Sequence, residues 1–255
     1  YRAVFGTMAK WAVEIDDVNR VPELISRAWT VALSGRPGPV VVALPEDMLV
    51  ATSDVQPSVT VTVPEPGVAP AIAEQMHAML AAAERPVVLL GGSRWTAESA
   101  RAMEEFAGAH DLPLVAAFRF HDIIDNHCPA YVGDAGVAMN GYMKEFLGEA
   151  DLILALHIRF GEATTNGYSL FDAPKMKATL IHSHASDDEI GKIYTADLPV
   201  HAGPNAMAAA LAAMTLPASA TRSDWCRTAR RNYVDSLAAP AQPGDVDMAA
   251  ITAHI

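Results

Sequence analysis

The chain has 255 residues, 51% of them hydrophobic, with a mean hydropathy of +0.16, so it can bury a sizeable core and the composition is not that of a disordered chain. A formal net charge of -12 argues against a nucleic-acid surface, since binding phosphate backbones needs clustered Lys and Arg. Two distant cysteines, Cys128 and Cys226, fit a reducing cytoplasm better than a disulfide scaffold, and no apolar run is long enough to span a bilayer. The ends, Tyr1 and Ile255, point to a piece of a longer polypeptide.

Residues 21–34 carry apolar side chains at helical spacing (Val21, Leu24, Ile25, Ala28, Trp29, Ala32), with Pro22 at the helix start. A turn follows at Ser34-Gly35-Arg36-Pro37-Gly38-Pro39, whose glycines permit tight turns and whose prolines stiffen the approach to the next strand. The run Val40 to Leu44 is apolar without alternation, which predicts a strand covered on both faces. Left as an orphan, that strand would expose unpaired edges, so residues 1–50 are expected to be partly disordered or paired with another copy. Residues 51–67 hold Pro57, Pro64, Pro66 and Gly67 and read as a linker.

From Val68 the pattern alternates. Helices are predicted at 68–84, 96–109 (with Thr96 as N-cap), 139–149, a short one near 187–193, and 204–215. Strands are predicted at 86–90, 113–117, 151–156, 178–182 and 198–201. Short turns between alternating elements imply an α/β fold: a Rossmann-like, doubly wound parallel sheet of about six strands over residues 68–215. Residues 216–255 read as a second linker, a helix around Trp225 and the start of another helix. Residues 1–50 read as a helix–strand unit set before this α/β domain.

Three groups of residues could carry chemistry. Gly91-Gly92-Ser93 follows a strand and precedes a helix, where doubly wound sheets place ligands; it reads first as a turn and second as a phosphate contact. His182 and His184 share a strand face and, with His201, could hold a metal, although ordinary strand-end imidazoles explain them better. His121, Asp122, Asp125, Asn126 and His127 form a polar loop that reads as solvated surface or as a channel lining. The four tryptophans read as packing residues.

The string SGRPGPVVVALPED (Ser34 to Asp47), preceded by Lys10-Trp11 and Val21-Pro22, resembles the end of the pyrimidine-binding domain of thiamine-diphosphate-dependent enzymes. RPVVLLGG (Arg85 to Gly92), DLPLVAA (Asp111 to Ala117), ADLILALHIRFGE (Ala150 to Glu162) and DEIGKIY (Asp188 to Tyr194) resemble the central domain of the acetolactate synthase-like members. The resemblance covers about residues 1–215, and it implies that residues 216–255 hold a linker and the start of the diphosphate-binding domain. It implies thiamine diphosphate and Mg²⁺ in a full-length parent, a 2-keto acid substrate, transferase or lyase chemistry, and a homodimer or homotetramer.

The resemblance also implies a nucleotide site in the central domain, at Gly91, Gly92, Ser93 and Arg159. The Arg159 guanidinium suits a pyrophosphate, or else makes an ion pair with Asp134 or Glu162. The chain departs from the flavin-binding pattern in several places. His157 replaces the glycine of G-x-R-F, Gly133-Asp134-Ala135-Gly136 replaces Gly-Met-His-Gly, Ser183-His184-Ala185-Ser186 replaces Ile-Asp-Ile-Asp, and Gly203-Pro204 replaces Gly-Asp. Three readings remain: bound FAD, another nucleotide such as ADP or coenzyme A, or an empty vestigial site, which the departures favour.

The family's catalytic glutamate would lie before Tyr1. Neither Gly133-Asp134-Ala135-Gly136 nor Gly244-Asp245 matches the Mg²⁺-binding Gly-Asp-Gly…Asn motif of the third domain. The chain alone is therefore expected to have no catalytic residues and no decarboxylase or synthase activity. The rival readings are a free-standing nucleotide-binding module and an oligomerisation scaffold.

Overall fold

The computed structural model describes residues 1–59, 61–238, 244 and 246–254. It divides into two units, Tyr1–Pro66 and Gly67–Ile255. Parts of both expected linkers (residues 60 and 239–243), and Asp245, lie outside the described residues.

In the first unit, helix α1 (Arg2–Phe5), strand β1 (Trp11–Glu14), helix α2 (Val21–Leu33), strand β2 (Val40–Ala43) and helix α3 (Glu46–Val50) follow one another. Strand β2 is not an orphan: it pairs in parallel with β1, from Trp11 opposite Val40 to Glu14 opposite Ala43. That pairing supplies the ladder partners that the reading of an unpaired strand lacked, because the WAVE segment is too short and mixed to announce itself as a strand. Nor is β2 covered on both faces, since Val40, Val41 and Val42 are half-buried and only Ala43 is buried. The local core is Val13, Ile15 and Leu24, flanked by Trp11, Val21, Val42 and Met48. On α2 only Leu24 is buried, and Trp29 is 59% exposed rather than packed.

The second unit contains helix α4 (Pro70–Ala82), strand β3 (Pro86–Leu90), helix α5 (Ala97–Ala109), strands β4 (Leu114–Ala117) and β5 (Tyr131–Ala135), and helix α6 (Gly141–Glu149). Strands β6 (Leu152–Leu156), β7 (Thr179–His184) and β8 (Leu198–His201) follow, then helices α7 (Pro204–Ala212), α8 (Ala220–Ser236) and α9 (Met248–His254). The segment expected to be a short helix near 187–193 is a single 3-10 turn, Asp187–Glu189. Strands β3 to β8 form one six-stranded sheet, all parallel, in the order β5-β4-β3-β6-β7-β8. Counted from β3, this is the doubly wound order 3-2-1-4-5-6.

The continuous apolar runs follow from burial on both faces. Val88 and Leu90 of β3, with Leu152, Leu154 and Leu156 of β6, face one core. Met76 and Leu80 of α4, Met103 and Phe106 of α5, and Met207 and Leu211 of α7 cover it. Val87, Leu89, Ile153 and Ala155 face the other core, under Met143, Phe146 and Leu147 of α6 and Ala229 of α8. Helix α8 is fastened to this unit. Trp225 stacks on Phe146 with ring centroids 4.4 Å apart and donates Nε1–H to the carbonyl of Pro86 at 3.0 Å. Arg222, 1% exposed, donates from Nε to the carbonyl of His110 at 2.8 Å. Thr96 caps α5 as its sequence position predicts, accepting from the Ser99 amide at 3.1 Å.

Candidate functional site at the switch point of the sheet

The strand order reverses direction between β3 and β6, and in such sheets ligands sit outside the carboxyl ends of the strands at that point. The loop after β3 contains Gly91, Gly92 and Ser93, and the loop after β6 contains His157, Ile158 and Arg159. Gly91 is buried: its amide donates to the carbonyl of Leu156 at 3.0 Å, and its carbonyl accepts from Trp95 Nε1 at 2.8 Å. A Cβ at Gly91 would lie 2.8 Å from Ile158 Cγ2, so the loops after β3 and β6 are in direct contact. Gly92 has φ 72, and a Cβ there would lie 2.2 Å from His157 Nδ1 and 2.3 Å from the His157 carbonyl oxygen. Only glycine fits this position. Ser93 is exposed in the turn.

The neighbourhood is dominated by imidazoles. His157, at the end of β6, is 3% exposed and has φ 59, in the left-handed region. Its ring stacks on that of His184 from the end of β7, with centroids 4.5 Å apart and planes 21° from parallel. Neither ring nitrogen of His157 has a hydrogen-bond partner among the described residues. His182, 2% exposed, uses Nε2 against the carbonyl of Ile158 at 3.2 Å and leaves Nδ1 without a partner. Burial is the main reason that both lose proton affinity: His157 is pushed down to about 4, helped by His184, and His182 is likewise pushed down to about 4. These imidazoles are neutral at pH 7.

Arg159 is brought to the mouth of the same site, with its side chain 63% exposed. Its ion-pair partner is neither Asp134 nor Glu162 but Glu189, 5% exposed, with Nε to Oε1 at 3.9 Å; Lys192 approaches the same carboxylate at 3.5 Å. Asp134 instead faces His121 Nε2 at 3.4 Å. The structure therefore gathers Gly91, Gly92 and Arg159 around one switch point, with Ser93 at its rim. What the sequence reading missed is the His157 ring between them. The signal was present as a histidine standing where the resemblance expects glycine, but its partner His184 lies on another strand.

The loop after β3 is also pinned from α7. The Thr96 amide donates to Asn205 Oδ1 at 2.9 Å, and Asn205 Nδ2 donates to the carbonyl of Arg94 at 2.8 Å. The donors that could meet a dinucleotide phosphate are thus partly engaged, and an imidazole occupies the space over Gly92. The residues present do not fit FAD or ADP.

They do not fit thiamine diphosphate with Mg²⁺ either. Among the described residues no three His, Cys, Asp or Glu side chains converge as metal ligands, and Gly133-Asp134 is part of strand β5. The alternative weighed for His182, His184 and His201, a metal site, has no three-ligand cluster behind it among the described residues. His201 faces His184 across the β7–β8 pair but is exposed, with Nε2 3.0 Å from the carbonyl of Ala185. The residues His121, Asp122, Asp125, Asn126 and His127 are all exposed.

Over residues 73–211 the chain matches the family described as "Thiamine pyrophosphate enzyme, central domain". That range runs from α4 to α7 and holds the whole six-stranded sheet. The chain is 30% identical over 197 residues to the acetolactate synthase isozyme 2 large subunit of Escherichia coli (strain K12), covering 77% of this chain and 35% of that protein. It is 26% identical over 201 residues to the glyoxylate carboligase of Escherichia coli O157:H7, covering 78% and 33%. It is 26% identical over 259 aligned residues to the acetolactate synthase large subunit of Corynebacterium glutamicum, covering 96% and 40%. The chain spans between a third and two fifths of the length of these curated relatives. With a doubly wound sheet in the matched range, this chain belongs to the thiamine pyrophosphate enzyme family, of which it carries the central domain.

Proposed function

We propose that this chain is the central, structural portion of a thiamine-diphosphate-dependent enzyme of the acetolactate synthase type. Such an enzyme decarboxylates a 2-keto acid and passes the resulting carbanion to a second carbonyl or to a proton, as a transferase or a lyase. The observation that carries this reading is the family match over residues 73–211, joined to relatives named acetolactate synthase and glyoxylate carboligase. Thiamine diphosphate, with Mg²⁺ on its diphosphate, supplies the carbanion-stabilising chemistry when bound. In this proposal both groups are held by other parts of the parent, which is a cytoplasmic homodimer or homotetramer. Among the described residues no helix is long and apolar enough to cross a membrane.

The 255-residue chain by itself contributes a folded platform and no catalytic group. The readings as a free-standing nucleotide module or a scaffold have less support, because the matched relatives are thiamine-type synthases and the switch point is filled. The test is CO2 release from pyruvate and from glyoxylate, with thiamine diphosphate and Mg²⁺. The product of the complete reading frame containing these residues turns over at least one of the two keto acids, and the isolated chain turns over neither. A complete gene product that neither binds thiamine diphosphate nor releases CO2 would contradict the assignment.

A further inference from the structure

The switch point of a doubly wound sheet is where a nucleotide enters, with its phosphates against the glycine turn and the start of the following helix. Here that turn is Gly91-Gly92, and the following helix is α5. The opposite wall is the end of β6, where the backbone of His157 keeps φ 59. Glycine holds that conformation freely, whereas a bulky side chain holds it at a cost. The ring is 3% exposed, both nitrogens lack partners, and Nδ1 stands where the first side-chain atom of residue 92 would be. A strained backbone and two unpaired buried nitrogens are both unfavourable. The stack on His184 is the ring contact that holds the imidazole in place.

We infer that His157 is a plug: its imidazole, stacked on His184, fills the crevice over Gly92 and closes the switch point to nucleoside diphosphates and to FAD. The surrounding features that would serve a phosphate are still there. Gly92 adds no side chain of its own, Arg159 stands exposed at the mouth, and α5 follows the turn from Ala97. The His157 ring is the part of this closure that a substitution can remove, since the His157 carbonyl oxygen beside it and the Asn205 contact to the Thr96 amide belong to the scaffold, and the closure concerns the central domain whatever keto acid the parent uses.

Isothermal titration of the 255-residue chain with ADP and with FAD tests this. The wild-type chain gives no saturable heat with either up to about 1 mM, the weak end of specific affinity. His157→Gly, which suits the left-handed backbone and removes the ring, binds ADP at least tenfold more tightly than wild type. Arg159→Ala in that background weakens the binding again. If His157→Gly does not fold, His157→Asn, which also tolerates the left-handed region, takes its place, with circular dichroism and gel filtration as folding checks. As a further arm, ADP at the same concentration leaves the His157 ring resonances of the wild-type chain unmoved. Saturable ADP or FAD binding by the wild-type chain overturns the plug, and so does a folded His157→Gly or His157→Asn variant that binds no better than wild type.

Discussion

Acidification should unfold the second unit earlier than its carboxylates alone would require. His157 and His182 are 3% and 2% exposed and are held neutral down to about 4, against an ordinary histidine value of 6.5. The unfolded chain therefore binds more protons than the folded one between those two values. The stability that these imidazoles allow is fully present above about pH 6.5 and drains away as pH falls toward about 4. The groups facing them do not reverse this: His184 and Arg94 work against a charge on His157, and Glu189 favours one on His182 less than burial opposes it. Below pH 6.5 each imidazole loses about 1.4 kcal/mol for every further pH step of one, so moving from pH 8 to pH 5.5 costs roughly 1.4 kcal/mol per imidazole, or about 3 kcal/mol for the pair. For a unit of this size that is a fall of roughly 5–10 °C in Tm. The assay is thermal unfolding at both pH values for wild type and for a His157→Gln/His182→Gln variant, whose side chains do not titrate. The difference between the two pH dependences isolates the histidines from every carboxylate. Parallel loss in both proteins, or ring titration of either histidine near pH 6.5 by NMR, would refute the reasoning.

Other perturbations have expected results as well. Gly92→Ala introduces a Cβ against His157 at a residue with φ 72, and should cost about 2–4 kcal/mol in urea unfolding; a loss below about 0.5 kcal/mol would mean that the two loops are not in contact. Trp225→Ala removes the stack on Phe146 and the hydrogen bond to Pro86, and should cost about 3 kcal/mol. Hydrogen exchange should rise along α8 first, and uniform exchange across the sheet would argue that α8 is not separately anchored.

Much of the architecture was legible because fully buried parallel strands need apolar side chains on both faces. The runs at Pro86–Leu90, Leu114–Ala117 and Leu152–Leu156 could hardly be anything else. Strand β5 was missed for a physical reason. Its YVGDA sequence carries a glycine and a half-exposed aspartate, it lies at the sheet edge, and its pairing with β4 is irregular. Strand β1 was missed similarly, since four residues ending in Glu14 give too little pattern.

Near the switch point, local sequence marked the glycine turn, because strand–glycine–helix junctions are local features, while Arg159 was marked by the family resemblance alone. It could not reveal that His157 and His184 stack, since that depends on the register of β6 with β7. Nor could it choose Glu189 as the partner of Arg159, because the turn Asp187–Glu189 has to fold back first. The buried, unpaired imidazole is therefore the main addition that the structure makes to the sequence.

The most direct test of the account is a thermal-shift series on the 255-residue chain with FAD, ADP, coenzyme A and thiamine diphosphate with Mg²⁺. A ligand at about a hundred times its Kd adds roughly 2.7 kcal/mol, a rise of about 5–10 °C for this unit. If the chain is a structural central domain with a closed switch point, none of the four moves the melting temperature. A reproducible, saturable rise with any one of them would contradict that claim.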